Sequence, residues 1–379
     1  MSKIIYQWIT TLGVFSVMAY TLFNPEVCIK GATSGLLLWF NKLLPSLLPF
    51  IILTKLIFEL GTIFEMEKYV GKISRKMFGV SGNSLLAYIL GSIGGYPTGG
   101  VLTEQLLSKE QISLTEAQKT LCFSNNCGLL FIIATVGTIL LDNIKLGYFL
   151  AVIHVLSSLT MLILSRFYKN YEPVTLRKMN NKISQVAPKS KAHSKSFVEA
   201  LTSSVQKGMD AIVYVGGYVI FFSMILHIVK DLSIFNPLVK SIARLFNTDT
   251  LLIESLILGS LEFSNGTAYI SQFVSNGIHY LGMLSALIAF GGICVFFQTA
   301  QLFVNTKLSL NLYLLAKTIQ AIFAYSYTLL LFPIYEAYTT GIPIQINSYR
   351  LSLVIGLFLI VGTGLKFAEN MTSPVALKN

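Results

Sequence analysis

The chain has 379 residues, 54% of them hydrophobic and only 12% charged, with a mean hydropathy of +0.68. A soluble domain carries about 25% charged residues, so a soluble enzyme, a nucleic-acid module and a disordered scaffold are excluded. The formal net charge of +11, from 28 Lys and Arg against 17 Asp and Glu, then reads as basic cytoplasmic loops of an integral membrane protein.

A membrane-crossing helix needs about 20 largely apolar residues. In chain order, apolar runs predict eight crossings, at roughly 8–24, 43–62, 120–141, 146–166, 209–230, 280–303, 310–336 and 349–366. The first follows Lys3 and has no small-x-small cleavage site after it, so residues 1–30 read as an uncleaved anchor. Between Arg166 and Lys195 stand eight basic residues against the single acid Glu172, interrupted by Pro173 and Pro188. That stretch, 167–196, reads as a cytoplasmic linker between two halves, 31–166 and 197–336, with 337–379 as a last helix and tail. Both termini then lie inside.

The halves resemble each other at a nearly constant offset. Gly91-Ser92-Ile93-Gly94-Gly95-Tyr96-Pro97-Thr98-Gly99 is mirrored 168 residues later by Gly259-Ser260-Leu261-Glu262-Phe263-Ser264-Asn265-Gly266-Thr267. With the linker inside, 43–62 runs outward to inward and its counterpart 209–230 the reverse, so the repeat is inverted. Inverted repeats with broken helices at mid-depth are a recurring plan of secondary transporters.

The runs 82–100 and 251–267 are short and end in glycine-rich polar sequence. Helix-breaking backbone survives at membrane depth only where protein or a wet cavity satisfies it, so both read as re-entrant hairpins. Polar stretches, 101–119 and 268–279, follow them. The next crossings are themselves interrupted, by Ser124-Asn125-Asn126 and by Gly291-Gly292. Tips and breaks meeting in one place would form a polar pocket from Gly95, Tyr96, Thr98, Ser124, Asn125, Asn126, Glu262, Ser264, Asn265 and Thr267. Gln298 and Gln301, one turn apart, are expected to face it as well.

Glu262 is the sharpest residue, because an acid in a re-entrant tip is costly. It takes a proton, Na⁺ or a cationic group, or else caps local backbone amides. Lys55 and Glu59 read as an internal pair, and Glu254 as a residue at the hairpin mouth facing water. Lys317 either snorkels to the interface or serves an anionic solute. The four cysteines form no CxxC and read as buried thiols. His154, His193, His227 and His279 have no metal-ligand spacing, and no nucleophile motif is present, so no catalytic residues, metal or organic cofactor are expected.

Residues 94–100, Leu121-Cys122-Phe123-Ser124-Asn125-Asn126-Cys127-Gly128, Leu44-Pro45-Ser46-Leu47-Leu48-Pro49-Phe50 and Phe290-Gly291-Gly292 resemble the sporulation integral membrane proteins of the YlbJ type. These lie in the nucleoside-recognition Gate superfamily, itself distantly similar to concentrative nucleoside transporters. The resemblance covers about 30–335. It implies a protein of the outer forespore membrane of an endospore-forming bacterium that moves dipicolinate. The family's first tip reads Ser-Gly-x-Pro-x-Gly-Ala-Lys. Here Gly94 stands for the serine and Gly100-Val101 for the Ala-Lys, which removes a partner for a dicarboxylate and leaves nucleosides and other small anions open.

The expected protein is an all-α polytopic membrane protein with about eight transmembrane helices and two re-entrant hairpins in an inverted repeat. Its partners would be a small-molecule solute and the lipid bilayer, without nucleic acid. A homo-oligomer is compatible with this reading, and Na⁺ or H⁺ would be the coupling ion. A non-transporting scaffold of spore assembly is the alternative.

Overall fold

Apolar runs give helices in hydrocarbon because an α-helix satisfies its backbone internally. In the computed structural model, which describes residues 2–168, 196–341 and positions 352, 355, 356, 359 and 361, all regular elements are helical. Helix α1 (Ser2–Phe23) is exposed along most of its length. Helix α2 (Pro25–Glu59) then runs for 35 residues, starting at a proline, which suits a first helical turn. Its π-type turns at Trp39–Leu43 precede Pro45 and Pro49, where missing N–H groups loosen the ladder. Buried Cys28, Gly31, Gly35, Leu43, Leu47, Ile51, Thr54 and Phe58 fall at steps of three, four or eight, marking a single inward stripe.

The first half continues with amphipathic α3 (Thr62–Phe78), then α4 (Gly82–Gly94) and α5 (Thr98–Ser108). Next come α6 (Leu114–Ser124), the π-type α7 (Phe131–Leu140) and α8 (Ile144–Leu164). The second half repeats this order. Long α9 (Phe197–Asp231) is followed by amphipathic α10 (Phe235–Leu245), α11 (Thr250–Leu261) and α12 (Phe263–Ser271). Helices α13 (Ile278–Phe290), α14 (Gly292–Leu302) and α15 (Leu310–Thr340) complete it.

The counterpart helices α2 and α9 pack side by side and run antiparallel, as an inverted repeat requires. Gly31 lies against His227, Gly35 against Ser223, Gly216 against Trp39 and Gly208 against Ile52, so positions rise on one helix as they fall on the other. The Trp39 Nε1–H donates to Ile212 O at 3.0 Å. A Cβ on Gly35 would lie 2.7 Å from the Ser223 hydroxyl, so the small residues let the backbones approach.

Helices α4 and α5, with 13 and 11 residues, extend about 20 and 16 Å at 1.5 Å per residue, short of the ~30 Å hydrocarbon layer. Together they form a hairpin, and α11 and α12 form its counterpart. The return arms reach Ser108 and Ser271, so the first parts of the polar stretches at 101–119 and 268–279 belong to the hairpins' own second limbs. Each hairpin crosses itself through glycine: a Cβ on Gly91 would fall 2.9 Å from Gly99 Cα, and one on Gly266 2.1 Å from Gly259 Cα. A Cβ on Gly99 would also fall 2.1 Å from Ser124 O of the first broken crossing.

Among the described residues, five helical stretches are long and apolar enough to cross a membrane: Pro25–Glu59, Ile144–Phe167, Phe197–Asp231, Ile278–Leu302 and Leu310–Thr339. A sixth arises if Tyr69–Phe78 and Gly82–Gly94, bent by 91°, count as one. The expected eight differ from this for physical reasons. The crossing expected at 8–24 is the apolar helix Gln7–Phe23, too short to be counted, 43–62 is the end of a helix that starts at Pro25, and 120–141 is split into two short pieces. The linker beyond 168, the last crossing at 349–366 apart from isolated positions, and the C-terminal tail lie outside the described residues.

Candidate functional site

The first hairpin turns at Gly95, whose φ of +77° suits glycine. A Cβ there would stand 3.0 Å from Gly128 N. The turn closes with Thr98 N–H donating to Gly95 O at 2.7 Å, while the Thr98 side chain is buried beneath Gly94. Tyr96 reaches into the other half. Its buried hydroxyl donates to Ala289 O at 3.0 Å, at the end of α13. Its ring meets Phe263 edge-on at 5.7 Å, and Phe263 meets Phe131 at 5.6 Å.

The first broken crossing leaves the helix at Ser124. Asn125 is extended (φ −83°, ψ 91°), and helix resumes only after 128. Side chains knit the opened segment to its neighbours. Ser124 Oγ shares a hydrogen bond with Thr103 Oγ1 at 3.2 Å. Asn125 Nδ2 donates to Thr299 Oγ1 and Tyr313 OH, both at 2.8 Å, and Asn125 Oδ1 accepts from Gly100 N. Asn126 Nδ2 donates to Phe123 O at 2.7 Å, and Asn126 Oδ1 accepts from Gln320 Nε2 at 3.0 Å.

The second hairpin turns without glycine, on Glu262 itself (φ −141°, ψ 112°). Its fully buried carboxylate caps α12, accepting Ser264 N–H at 3.0 Å, Asn265 N–H at 2.7 Å and Asn265 Nδ2 at 2.8 Å. A carboxylate suits the positive end of a helix. Asn265 also donates to the Ser223 hydroxyl of α9, and Thr267 Oγ1 to Ser264 O at 2.9 Å. The second broken crossing turns on Gly291 and Gly292, with φ of +81° and +78°.

Tip residues Tyr96, Glu262 and Ser264, break residues Cys127 and Gly128, and Gln298 of α14 border one cavity of about 20 Å³, closed off by α2 and α9. That holds about one water. Thr98, Ser124, Asn125, Asn126, Asn265 and Thr267 stand behind the wall and brace it. Gln301 does not share the face of Gln298. It is exposed and accepts from the Tyr218 hydroxyl at 3.3 Å; the two lie only about 60° apart around α14, and the edge of the inward stripe falls between them.

Lys317 of α15 is central, and it does not snorkel. It is 1% exposed, and its ammonium donates to Asn125 O at 2.9 Å, Gln320 Oε1 at 2.6 Å and Asn126 Oδ1 at 3.5 Å. It lies 5.2 Å from the Tyr96 ring centroid. Among the described residues no carboxylate pairs with it. Sequence reasoning left out Gln320, Thr299 and Tyr313. The spacing Lys317-x-x-Gln320 inside an apolar span was the available signal, since two polar side chains a turn apart share a face.

Elsewhere, Glu59 pairs with Lys207 of α9. Glu254 pairs with Lys230 at 3.0 Å and is only 18% exposed, so it does not simply face water. The four cysteines are buried free thiols, and no group of three or more metal-ligating side chains occurs among the described residues.

Fold and site together define an all-α polytopic membrane protein whose two hairpins and two broken crossings converge on its interior. Compared with known proteins, the chain is 28% identical over 355 residues to the sporulation integral membrane protein YlbJ of Bacillus subtilis (strain 168), covering 89% of this chain and 86% of that protein. That similarity along nearly the whole of both chains supports the YlbJ-type family, which the first-half motif resembles. No protein-family model matches the chain, and no solved structure matches it.

Proposed function

We propose that the protein is a carrier, not an enzyme, that moves a small polar or anionic solute across a membrane by alternating access during sporulation. Dipicolinate is the first candidate, and nucleosides or other small metabolites are the next. The observation that supports this reading is the convergence of both hairpin tips and both broken crossings on one buried cavity. A purely structural bundle has no use for backbone interruptions that need so many side chains to satisfy them. The cavity's small volume makes this a closed state, so solute entry requires the tips to part. The sporulation role rests on the relative's description. Its membrane would be the outer forespore membrane.

The test is thermal unfolding of the purified protein with dipicolinate and a nucleoside panel, followed by uptake into proteoliposomes. Ligand at a hundredfold over Kd stabilises by about 2.7 kcal/mol. The expected result is a shift from one compound class, lost in Glu262→Gln and Asn125→Ala, with matching uptake. Absence of both shift and uptake for every compound would overturn the carrier reading in favour of a non-transporting scaffold of spore assembly.

A further inference from the structure

Lys317 has an environment unusual for a buried lysine. Its three neighbours are a backbone carbonyl, Asn125 O, and two side-chain carbonyls, Asn126 Oδ1 and Gln320 Oε1. The amide orientations are fixed by other bonds, since Asn126 Nδ2 donates to Phe123 O and Gln320 Nε2 to Asn126 Oδ1. All three atoms facing the nitrogen are therefore acceptors only. A neutral amine has two N–H donors, whereas an ammonium has three, so the cluster is complete only with the charged form. Asn125 also follows the last turn of α6, the negative end of its dipole.

Carbonyl oxygens at an unwound segment, at the C-terminal end of a half-helix and without a carboxylate, are what a transporter offers a coupling cation. Here the protein's own side chain fills that place. We propose that the Lys317 ammonium is a tethered cation standing where a bound sodium ion would otherwise sit, so that no sodium enters this site. On the carrier reading, which the second half of this inference rests upon, coupling runs through gain and loss of the Lys317 proton. The titratable groups around it are Tyr96 of the first hairpin, Cys122 and Cys127 of the broken crossing, His154 of α8 and Tyr313 on α15 itself. None of these is a carboxyl group that would compensate the charge.

The test uses the full-length protein in detergent and reads its melting temperature in sodium chloride against N-methyl-D-glucamine chloride at equal ionic strength. Wild type is expected to show no difference at neutral pH. Lys317→Ala is expected to melt lower and to recover most of the loss, saturably, on adding sodium or methylammonium chloride, while Lys317→Gln does not respond. A Lys317→Ala protein indifferent to every monovalent cation would overturn the proposal. If that variant does not fold, wild type decides. Sodium stabilisation that appears only at alkaline pH, once the amine is neutral, supports the tethered cation, and an equal sodium response at both pH values overturns it. Because no solute enters these measurements, a negative result leaves the carrier reading standing, and a failed solute assay leaves this one standing.

Discussion

The two broken crossings interrupt a helix at the same place in the repeat by opposite chemical means. The first, at 125–128, opens an extended stretch and fills it with side chains, namely those of Ser124, Asn125, Asn126 and, from far along the chain, Lys317 and Gln320. The second opens no stretch at all. Two successive glycines in the left-handed region turn the chain, and the freed carbonyls of α13 take the Tyr96 hydroxyl. The first break is thus a polar joint and the second a steric one. Side-chain deletions should damage the first, and added atoms the second.

The largest effects should come from the crossings that both joints rest on. Gly99→Val and Gly266→Val each place a Cβ 2.1 Å from backbone, where nothing flexible yields, and should remove about 4 kcal/mol or more. Size-exclusion profiles should then show no monodisperse protein.

Next, Asn126→Ala strips one acceptor from Lys317, the acceptor of Gln320 and the donor to Phe123 O. At about 1–3 kcal/mol for each buried group left unsatisfied, it should cost about 3 kcal/mol by thermal unfolding. Its steric counterpart is Gly291→Ala, which forces φ near +81° on a residue with a Cβ and brings that atom 2.9 Å from the Tyr96 ring. It should cost about 2 kcal/mol. If Gly291→Ala proves harmless while Asn126→Ala does not, the second break is not a steric joint.

Tyr96→Phe keeps the ring and deletes the bond to Ala289 O, and about 1–2 kcal/mol should be lost. The smallest effect sharpens the site rather than the joints. Gln301→Ala should change stability by less than about 0.5 kcal/mol and leave any solute shift intact, whereas Gln298→Ala, at the cavity wall, should weaken that shift.

Much of this was legible in the chain. Consecutive asparagines and paired glycines inside apolar runs announced both breaks, and the 168-residue spacing announced the repeat. Polar or helix-breaking residues are costly at membrane depth and persist only where the surrounding protein satisfies them, which is why these signals stood out. What escaped was long-range or angular. No local pattern says that Lys317, about 190 residues away, closes the Asn125–Asn126 break, or that Gln298 turns inward while Gln301 turns out. For Glu262 the sequence left two readings open, and the carboxylate proves to cap the helix it starts. The length of α2 was missed because only 43–62 was read as a crossing, whereas the helix starts at Pro25 and runs on through its π-type turns.

The seam between α2 and α9 bears on how the protein is assembled. Its glycines come from both halves, Gly31 and Gly35 from one and Gly208 and Gly216 from the other, and each is shaped to a particular residue across the line. Neither half therefore has a finished surface of its own. A chain severed between 168 and 196 should yield two pieces that are each short-lived alone and that copurify when made together, behaving as complementary fragments of a single cooperative unit rather than as two linked domains.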